Sequence, residues 1–282
     1  MPPSIQQILA RAEELREHSD SWRLDTELLL AEALATTREY LFTWPQREVD
    51  AQAQQAFEGL FARRAAGEPL AYILGRKDFW DFQLHVNSHV LVPRPETELL
   101  VENALALVKS NHAAAERIVD LGTGSGAIAI ALARELPACQ VLAVDLSGDA
   151  LAVARANSER LHVSNIQFKL SSWCEGLEPA NYDLVVSNPP YVAVDDMHLQ
   201  QAGLRYEPGL ALIASGNGLG HIKAIAEQSR GVLRRNGWLL VEHGYQQGVD
   251  VKEIFSGLGY RNIAGKQDLA GRDRISFGQW QY

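Results

Sequence analysis

The 282-residue chain is short of what several classes of protein need. Its two cysteines, Cys139 and Cys174, form neither a Cys-x-x-Cys pair nor part of a ligand cluster. A disulfide framework and a structural zinc site are thereby excluded, and a reducing, cytoplasmic compartment is expected. No basic stretch followed by an apolar run opens the chain at Met1-Pro2-Pro3-Ser4-Ile5-Gln6-Gln7, so no secretory leader is expected. The longest run of small apolar residues, Ala127 to Ala133, is far below the roughly 20 residues of a spanning helix, and no membrane contact is expected. Basic charge is also scarce. There are 26 Lys+Arg against 35 Asp+Glu, a net charge of −9, and the first 75 residues hold 7 Arg, no Lys and 12 acidic residues. Proteins that grip a nucleic-acid backbone carry clustered cations, so no direct nucleic-acid partner is expected. The eight histidines are scattered and the carboxylates form no ligand set, which leaves no candidate catalytic metal site.

What is present is a folded chain. A composition 46% hydrophobic and 22% charged supports a proper core, and the length suits one large domain or two unequal ones. Residues 1–75 read as helical. Ile5, Ile8, Leu9, Ala12 and Leu15 recur on one helical face, and Asp25 to Leu34 reads as a second helix capped at Asp25. A third runs from Ala51 to Ala66 and stops at Gly67, with Pro69 beyond. The texture then changes. Phe79–Val86 and Val90–Val92 are short β-like runs joined at Asn87-Ser88, which predicts a hairpin within a 76–95 linker.

From about residue 96 to 282, strands alternate with helices. Strands are predicted at Arg117–Leu121, Gln140–Asp145, Ile166–Leu170, Tyr182–Ser187 and Trp238–His243, with helices at Glu98–Lys109, Gly126–Glu135, Asp149–Leu161 and Leu219–Arg235. A helix at Gly248–Leu258 and β-like runs at Arg261–Lys266 and Arg274–Trp280 follow, the last predicted to return antiparallel. This is an α/β pattern: a seven-stranded, mostly parallel, Rossmann-like sheet with helices on both faces. Such sheets bind ligands beyond the carboxyl ends of their strands, which directs attention to the residues after Leu121, Val144, Leu170 and Ser187.

The first of these strands ends in Asp120-Leu121-Gly122-Thr123-Gly124-Ser125-Gly126-Ala127. Its glycines allow a tight turn and let a ligand lie against bare backbone. About 20 residues on, Asp145 ends the next strand, where a carboxylate can accept both hydroxyls of an adenosine ribose. The loop also satisfies the loose dinucleotide fingerprint, so a nicotinamide enzyme stays open on this evidence alone. Asp120 beside the loop and the even Gly-x-Gly-x-Gly spacing suit a cationic sulfonium ligand, S-adenosyl-L-methionine, better than a pyrophosphate.

The fourth strand runs into Asn188-Pro189-Pro190-Tyr191. Pro190 disfavours a helical Pro189, so the Pro189 carbonyl lacks a helical partner and can face a ligand. Neither proline offers an N–H that could compete as a donor. The Asn188 carboxamide adds a second acceptor. Two adjacent acceptors suit one planar NH₂ group, and Tyr191 supplies a flat face for the plane that carries it. The candidate catalytic residues are Asn188, Pro189 and Tyr191, and Pro190 completes the substrate clasp.

These residues resemble the class I S-adenosylmethionine-dependent methyltransferases of planar NH₂ groups. Asn-Pro-Pro-Tyr alone is compatible with DNA adenine-N6, RNA guanine-N2 and protein glutamine-N5 enzymes. Val92-Pro93-Arg94-Pro95-Glu96-Thr97-Glu98, Gly67 to Gly75, Phe79-Trp80, Glu207-Pro208, Ser229-Arg230 and Glu242-His243-Gly244 resemble the peptide-chain release factor glutamine N5-methyltransferases, the HemK/PrmC family. The resemblance spans essentially the whole chain. It implies that Gly122, Thr123, Gly124, Ser125 and Gly126 line the cofactor beside Asp120 and Asn188. It further implies that Asp145 holds the ribose and Trp173 lies against the adenine. The substrate it implies is the glutamine of a release factor's Gly-Gly-Gln motif, docked by the helical domain, with a monomer expected. One departure concerns Ser172-Trp173, since family members often carry an acidic residue before the tryptophan. A serine there predicts weaker cofactor binding. A non-catalytic adaptor that retains the cofactor fold is the rival from another class.

The remaining residues have plainer readings. Arg94 and Glu96 either shape the site's mouth or form a structural ion pair and helix start. His243 reads as a hydrogen-bonded structural residue, and Trp80 and Phe82 as hairpin core.

Overall fold

A computed structural model describes residues 2–110, 117–194 and 203–282, so Met1 at the head of the N-terminal reading lies outside the described residues. The chain forms two units, Met1–Arg76 with Gln200–Tyr206, and Lys77–Leu199 with Glu207–Tyr282.

The first unit is helical. It comprises α1 (Ile5–Leu9), a 3₁₀ segment (Ala10–Leu15), α2 (Trp22–Ala33), α3 (Arg38–Thr43), α4 (Ala51–Ala65) and α5 (Leu70–Leu74). Ser4 starts α1 with a reciprocal cap: its Oγ accepts the Gln7 amide, and Gln7 Oε1 accepts the Ser4 amide. Asp50 caps α4 by accepting from the Ala53 amide. Ile5, Ile8, Leu15, Leu29, Leu30, Leu41, Phe57 and Phe61 meet in one core. The predicted cap at Asp25 is incorrect, because α2 begins three residues earlier. Asp25 instead lies buried in its first turn, accepts from the Ser19 and Ser21 hydroxyls, and pairs with Arg64 at 2.7 Å. Pro69 does follow the end of α4, and it also caps the entry to α5.

The predicted hairpin is displaced. Its strands are β1 (Arg76–Phe79) and β2 (Phe82–His85), turning at Trp80-Asp81 rather than at Asn87-Ser88. Trp80 takes the positive φ of +57° that this tight turn requires, so it sits at the tip and not in the hairpin core, whereas Phe82 is buried. Residues 90–92 bury Val90 and Val92 but form no strand, and the prolines at 93 and 95 lack the N–H groups that would extend a ladder.

The rest of the second unit alternates as predicted: α6 (Glu96–Ser110), β3 (Arg117–Leu121), α7 (Ala127–Glu135), β4 (Gln140–Asp145), α8 (Gly148–Arg160), β5 (Ile166–Leu170) and β6 (Tyr182–Ser187). A small parallel pair follows, β7 (Val192–Ala193) with β8 (Ile213–Ala214). The chain then continues through α9 (Gly220–Val232), β9 (Leu233–Glu242), α10 (Gly248–Gly257), β10 (Arg261–Gln267) and β11 (Asp273–Gln279).

Seven strands form one sheet in the order β10-β11-β9-β6-β3-β4-β5. Only β11 runs against the others, inserted between β9 and β10. Residues 118–121 of β3 are all buried, which is the signature of a sheet covered on both faces. Val119 and Leu121 pack with Ile222 and Ile225 of α9 and with Val251 and Phe255 of α10, and the alternate residues Ile118 and Asp120 point the other way. The strand order reverses between β3 and β6, so the crevice for a ligand lies at the carboxyl ends of these two neighbours.

Candidate active site

The turn after β3 is held by its neighbour. The amides of Gly122 and Thr123 both donate to the Val144 carbonyl, at 2.8 and 2.9 Å. Gly122, Gly124 and Gly126 all have positive φ. At Gly122 a Cβ would meet the Trp173 ring at 3.4 Å, an ordinary contact, so there the positive φ is what asks for glycine, whereas at Gly126 a Cβ would crowd Ile130 and Ala154 at 3.1 and 3.2 Å. The Gly124 amide donates to Asp145 Oδ2 at 2.9 Å, and the Ser147 amide donates to Oδ1 at 2.9 Å. Each carboxylate oxygen of Asp145 thus keeps a lone pair to spare.

Asp120 is fully buried. Its Oδ2 accepts from the Thr123 hydroxyl at 2.7 Å, whereas among the described residues Oδ1 meets no full hydrogen bond, the Ala129 amide on α7 being the backbone donor that bears on the carboxyl. Burial is the main cause that pushes this carboxyl up to about 7; the Thr123 hydrogen bond opposes the rise and the Asp145 charge adds to it. Trp173 lies over Gly122 and tilts against the His221 ring at 5.4 Å between centroids. The Ser172 carbonyl accepts from the Glu175 amide, and its half-buried hydroxyl makes no hydrogen bond among the described residues.

Beyond β6, Pro189 is buried and no described amide donates to its carbonyl. Asn188 Nδ2 donates to Thr97 Oγ1 at 3.0 Å, while Asn188 Oδ1 is buried with no partner among the described residues. A buried acceptor left unmade costs on the order of 1–3 kcal/mol, so this oxygen marks a place prepared for a donor. Tyr191 is anchored at its far end, where its hydroxyl donates to Glu242 Oε1 at 3.3 Å. Burial, reinforced by the Glu242 charge, raises the Tyr191 phenol well above its ordinary value and keeps it neutral. The backbone of Tyr191 is fixed as well. Its carbonyl accepts from Gln247 Nε2 at 3.1 Å and presses on Gly218, where a Cβ would fall 2.2 Å from that oxygen. No side chain larger than hydrogen fits at Gly218.

The structure brings Asp120, Gly122 to Gly126 and Asp145 together at the ends of β3 and β4, and Asn188 to Tyr191 at the adjoining end of β6. It also reveals four residues that sequence reasoning gave no role: Thr97, Glu242, Gly218 and Gln247. Thr97 and Glu242 lie in stretches noted for their resemblance, and a buried acid closing a strand was the available signal for Glu242. His243 is structural. Its Nδ1–H donates to the Gly244 carbonyl, so Nε2 accepts from Ser276, and burial lowers its pKa. Arg94 pairs with buried Glu207 at 2.6 Å, and Glu207 also accepts the Val92 amide at 3.2 Å. Glu96 opens α6 and faces Arg274 at 4.0 Å. Among the described residues, no group of His, Cys, Asp or Glu could hold a metal ion, and no helix is long and apolar enough to cross a membrane.

This sheet order, with a glycine loop and an acid on adjacent strands, defines the S-adenosylmethionine-dependent methyltransferase fold. The structure of a methyltransferase from Pyrococcus furiosus shares it, with a TM-score of 0.52 at 19% identity over 71% of this chain and 89% of that one. Residues 7–75 match the family model for the PrmC N-terminal domain, and residues 95–203 match the methyltransferase small domain. The release factor glutamine methyltransferase of Vibrio cholerae is 47% identical over 97% of this chain and 96% of its own length. Its counterpart in Pseudomonas aeruginosa is 46% identical over 93% and 94%. The chain belongs to the release factor glutamine methyltransferase family.

Proposed function

We propose that this chain methylates the side-chain amide nitrogen, N5, of the glutamine in the Gly-Gly-Gln motif of peptide-chain release factors, with S-adenosyl-L-methionine as donor. One observation carries the reading: Asn188 Oδ1 is a buried acceptor with no partner among the described residues, beside a Pro189 carbonyl that no described amide engages. Together they can accept both hydrogens of one planar NH₂ group.

The chain's residues fit the donor. Asp145 has a free lone pair on each oxygen for the ribose hydroxyls, and Asp120 offers a buried oxygen, with no full hydrogen bond among the described residues, next to the glycine loop. Gly122 to Gly126 line the cofactor, with Ser172 and Trp173 at its adenine. S-adenosylmethionine, when bound, supplies an electrophilic methyl group on a sulfonium centre.

The task left to the protein is positioning. An amide nitrogen is a poor nucleophile because its lone pair is delocalised into the carbonyl. Accepting both N–H groups aims that lone pair, and the same hydrogen bonds strengthen as the nitrogen becomes tetrahedral, which favours the transition state. Holding two reactants in line supplies on the order of 7–11 kcal/mol. No strong base is needed, because the methylated nitrogen is acidic and releases its proton to water. Tyr191, neutral and fixed at both ends, presents the flat face that keeps the amide plane in register.

The helical unit docks the release factor away from the reacting glutamine. Its exposed Phe42 and Trp44 are the contact residues we assign. The reaction belongs in the cytoplasm, where Cys139 and Cys174, which form no disulfide among the described residues, stay reduced.

Incubation with purified release factor and methyl-labelled cofactor tests the reading. Label on a single glutamine supports it, and label found only on DNA or RNA refutes it in favour of a nucleic-acid amino-methyltransferase.

A further inference from the structure

Glu242 is the last residue of β9 and is only 1% exposed. Its Oε2 accepts from the Thr97 hydroxyl at 2.8 Å, and its Oε1 accepts from Tyr191. Thr97, in the first turn of α6, is also buried and receives Asn188 Nδ2. A hydroxyl has one proton to give. When Thr97 gives it to Glu242, only lone pairs remain for Asn188, so the asparagine must turn its NH₂ inward and its oxygen outward. We propose that Glu242, acting through Thr97, is a positioning residue that sets which end of the Asn188 carboxamide faces the incoming glutamine amide. The inference rests on the reading above that this oxygen accepts from the substrate.

The relay works in one protonation state only. As a carboxylate, Glu242 can only accept. Once protonated on Oε2 it donates to Thr97, the threonine proton turns to Asn188, and the carboxamide rotates to accept it. Its NH₂ then meets the substrate NH₂, donor against donor, and the clasp is lost. The charged and titratable groups around Glu242 are Tyr191 after β6, Arg274 on β11 and Glu96 on α6. Burial outweighs the Thr97 and Tyr191 hydrogen bonds and the Arg274 charge, and raises this carboxyl to about 7. Asp120 is also raised to about 7, so an inflection there is assigned to Glu242 by its loss in Glu242→Gln and its persistence in Asp120→Asn.

The experiment combines kinetics on purified release factor with NMR of the Asn188 side-chain NH₂, whose signals are identified by their loss in N188D. In the unmodified enzyme, kcat falls about tenfold between pH 8 and pH 6, and the NH₂ signals move through an inflection near 7. In Thr97→Val, kcat at pH 8 drops by about tenfold or more, with S-adenosylmethionine affinity within about threefold, and Thr97→Ser restores most of the rate. In Glu242→Gln, the acid limb and the NMR inflection both disappear; this near-isosteric, neutral variant carries the test should Thr97→Val not fold. Equal rates in Thr97→Val and Thr97→Ser, or an inflection that persists in Glu242→Gln, would overturn the inference. An enzyme that leaves release-factor glutamine unmodified contradicts the proposed function instead, and the NMR titration still decides the role of Glu242.

Discussion

The Gly124 amide donates to Asp145 Oδ2 at 2.9 Å, so the acid that ends β4 shapes the glycine loop that ends β3. In the proposed function one carboxylate therefore serves both the loop and the ribose. Hydrogen bonds to a charged group contribute on the order of 1.5–3 kcal/mol. Asp145→Ala is predicted to weaken S-adenosylmethionine binding by roughly 10- to 100-fold, and Asp145→Asn, which keeps one acceptor oxygen, by less. Isothermal titration calorimetry separates the two. Equal and small losses would mean that the carboxylate does not reach the ligand.

Ser172 directly precedes Trp173, and its hydroxyl is uncommitted among the described residues. Ser172→Asp is predicted to tighten cofactor binding by about three- to tenfold, the effect of about one further hydrogen bond. The same titration reads the change, and unchanged or weaker affinity counts against an adenine role for this position.

Asp120 makes stability depend on pH. Its carboxyl is raised from the usual 3.8 to about 7 in the folded chain, chiefly by burial. Between these values the native state holds a proton that the unfolded state has lost. The contribution is present at low pH and disappears as pH rises through 7. From pH 5 to pH 8 the ligand-free protein is predicted to lose about 3 kcal/mol from this group, and Asp120→Asn to remove that loss. Urea unfolding at the two pH values measures it. An identical slope in both proteins would show that Asp120 is not the source.

Much of this was legible from residue order. Strands β3 to β6 match their predicted bounds: β3, β4 and β6 read as largely buried apolar runs cut off by Gly, Asp or Asn-Pro, whereas the edge strand β5 reads by alternation. Both loops at their carboxyl ends were found for the same reason. The hairpin was misplaced because Val90 and Val92 are buried like strand residues, yet residues 90–92 form no strand. The short helices α3 and α5 are under two turns and show no full apolar period. Thr97 and Glu242 escaped because their roles arise from pairings across 91 and 145 residues, which local pattern does not reveal.

In the proposed docking role, Phe42 and Trp44 separate docking from chemistry. Their joint replacement by alanine is predicted to raise KM for intact release factor by about five- to tenfold, and to leave turnover of a short Gly-Gly-Gln peptide unaltered. Parallel loss on both substrates would remove the helical unit from recognition.

In the proposed reaction a guest amide is held by the oxygens of Asn188 and Pro189 and methylated on nitrogen. Peptide mass spectrometry of release factor, incubated with S-adenosylmethionine and either the unmodified enzyme or Asn188→Ala, tests it most directly. One added CH₂ unit is expected on the Gly-Gly-Gln glutamine with the unmodified enzyme, and at least a hundredfold slower appearance with Asn188→Ala, although that variant still binds cofactor. Full modification by Asn188→Ala, or a methyl group located on any other residue, would contradict it.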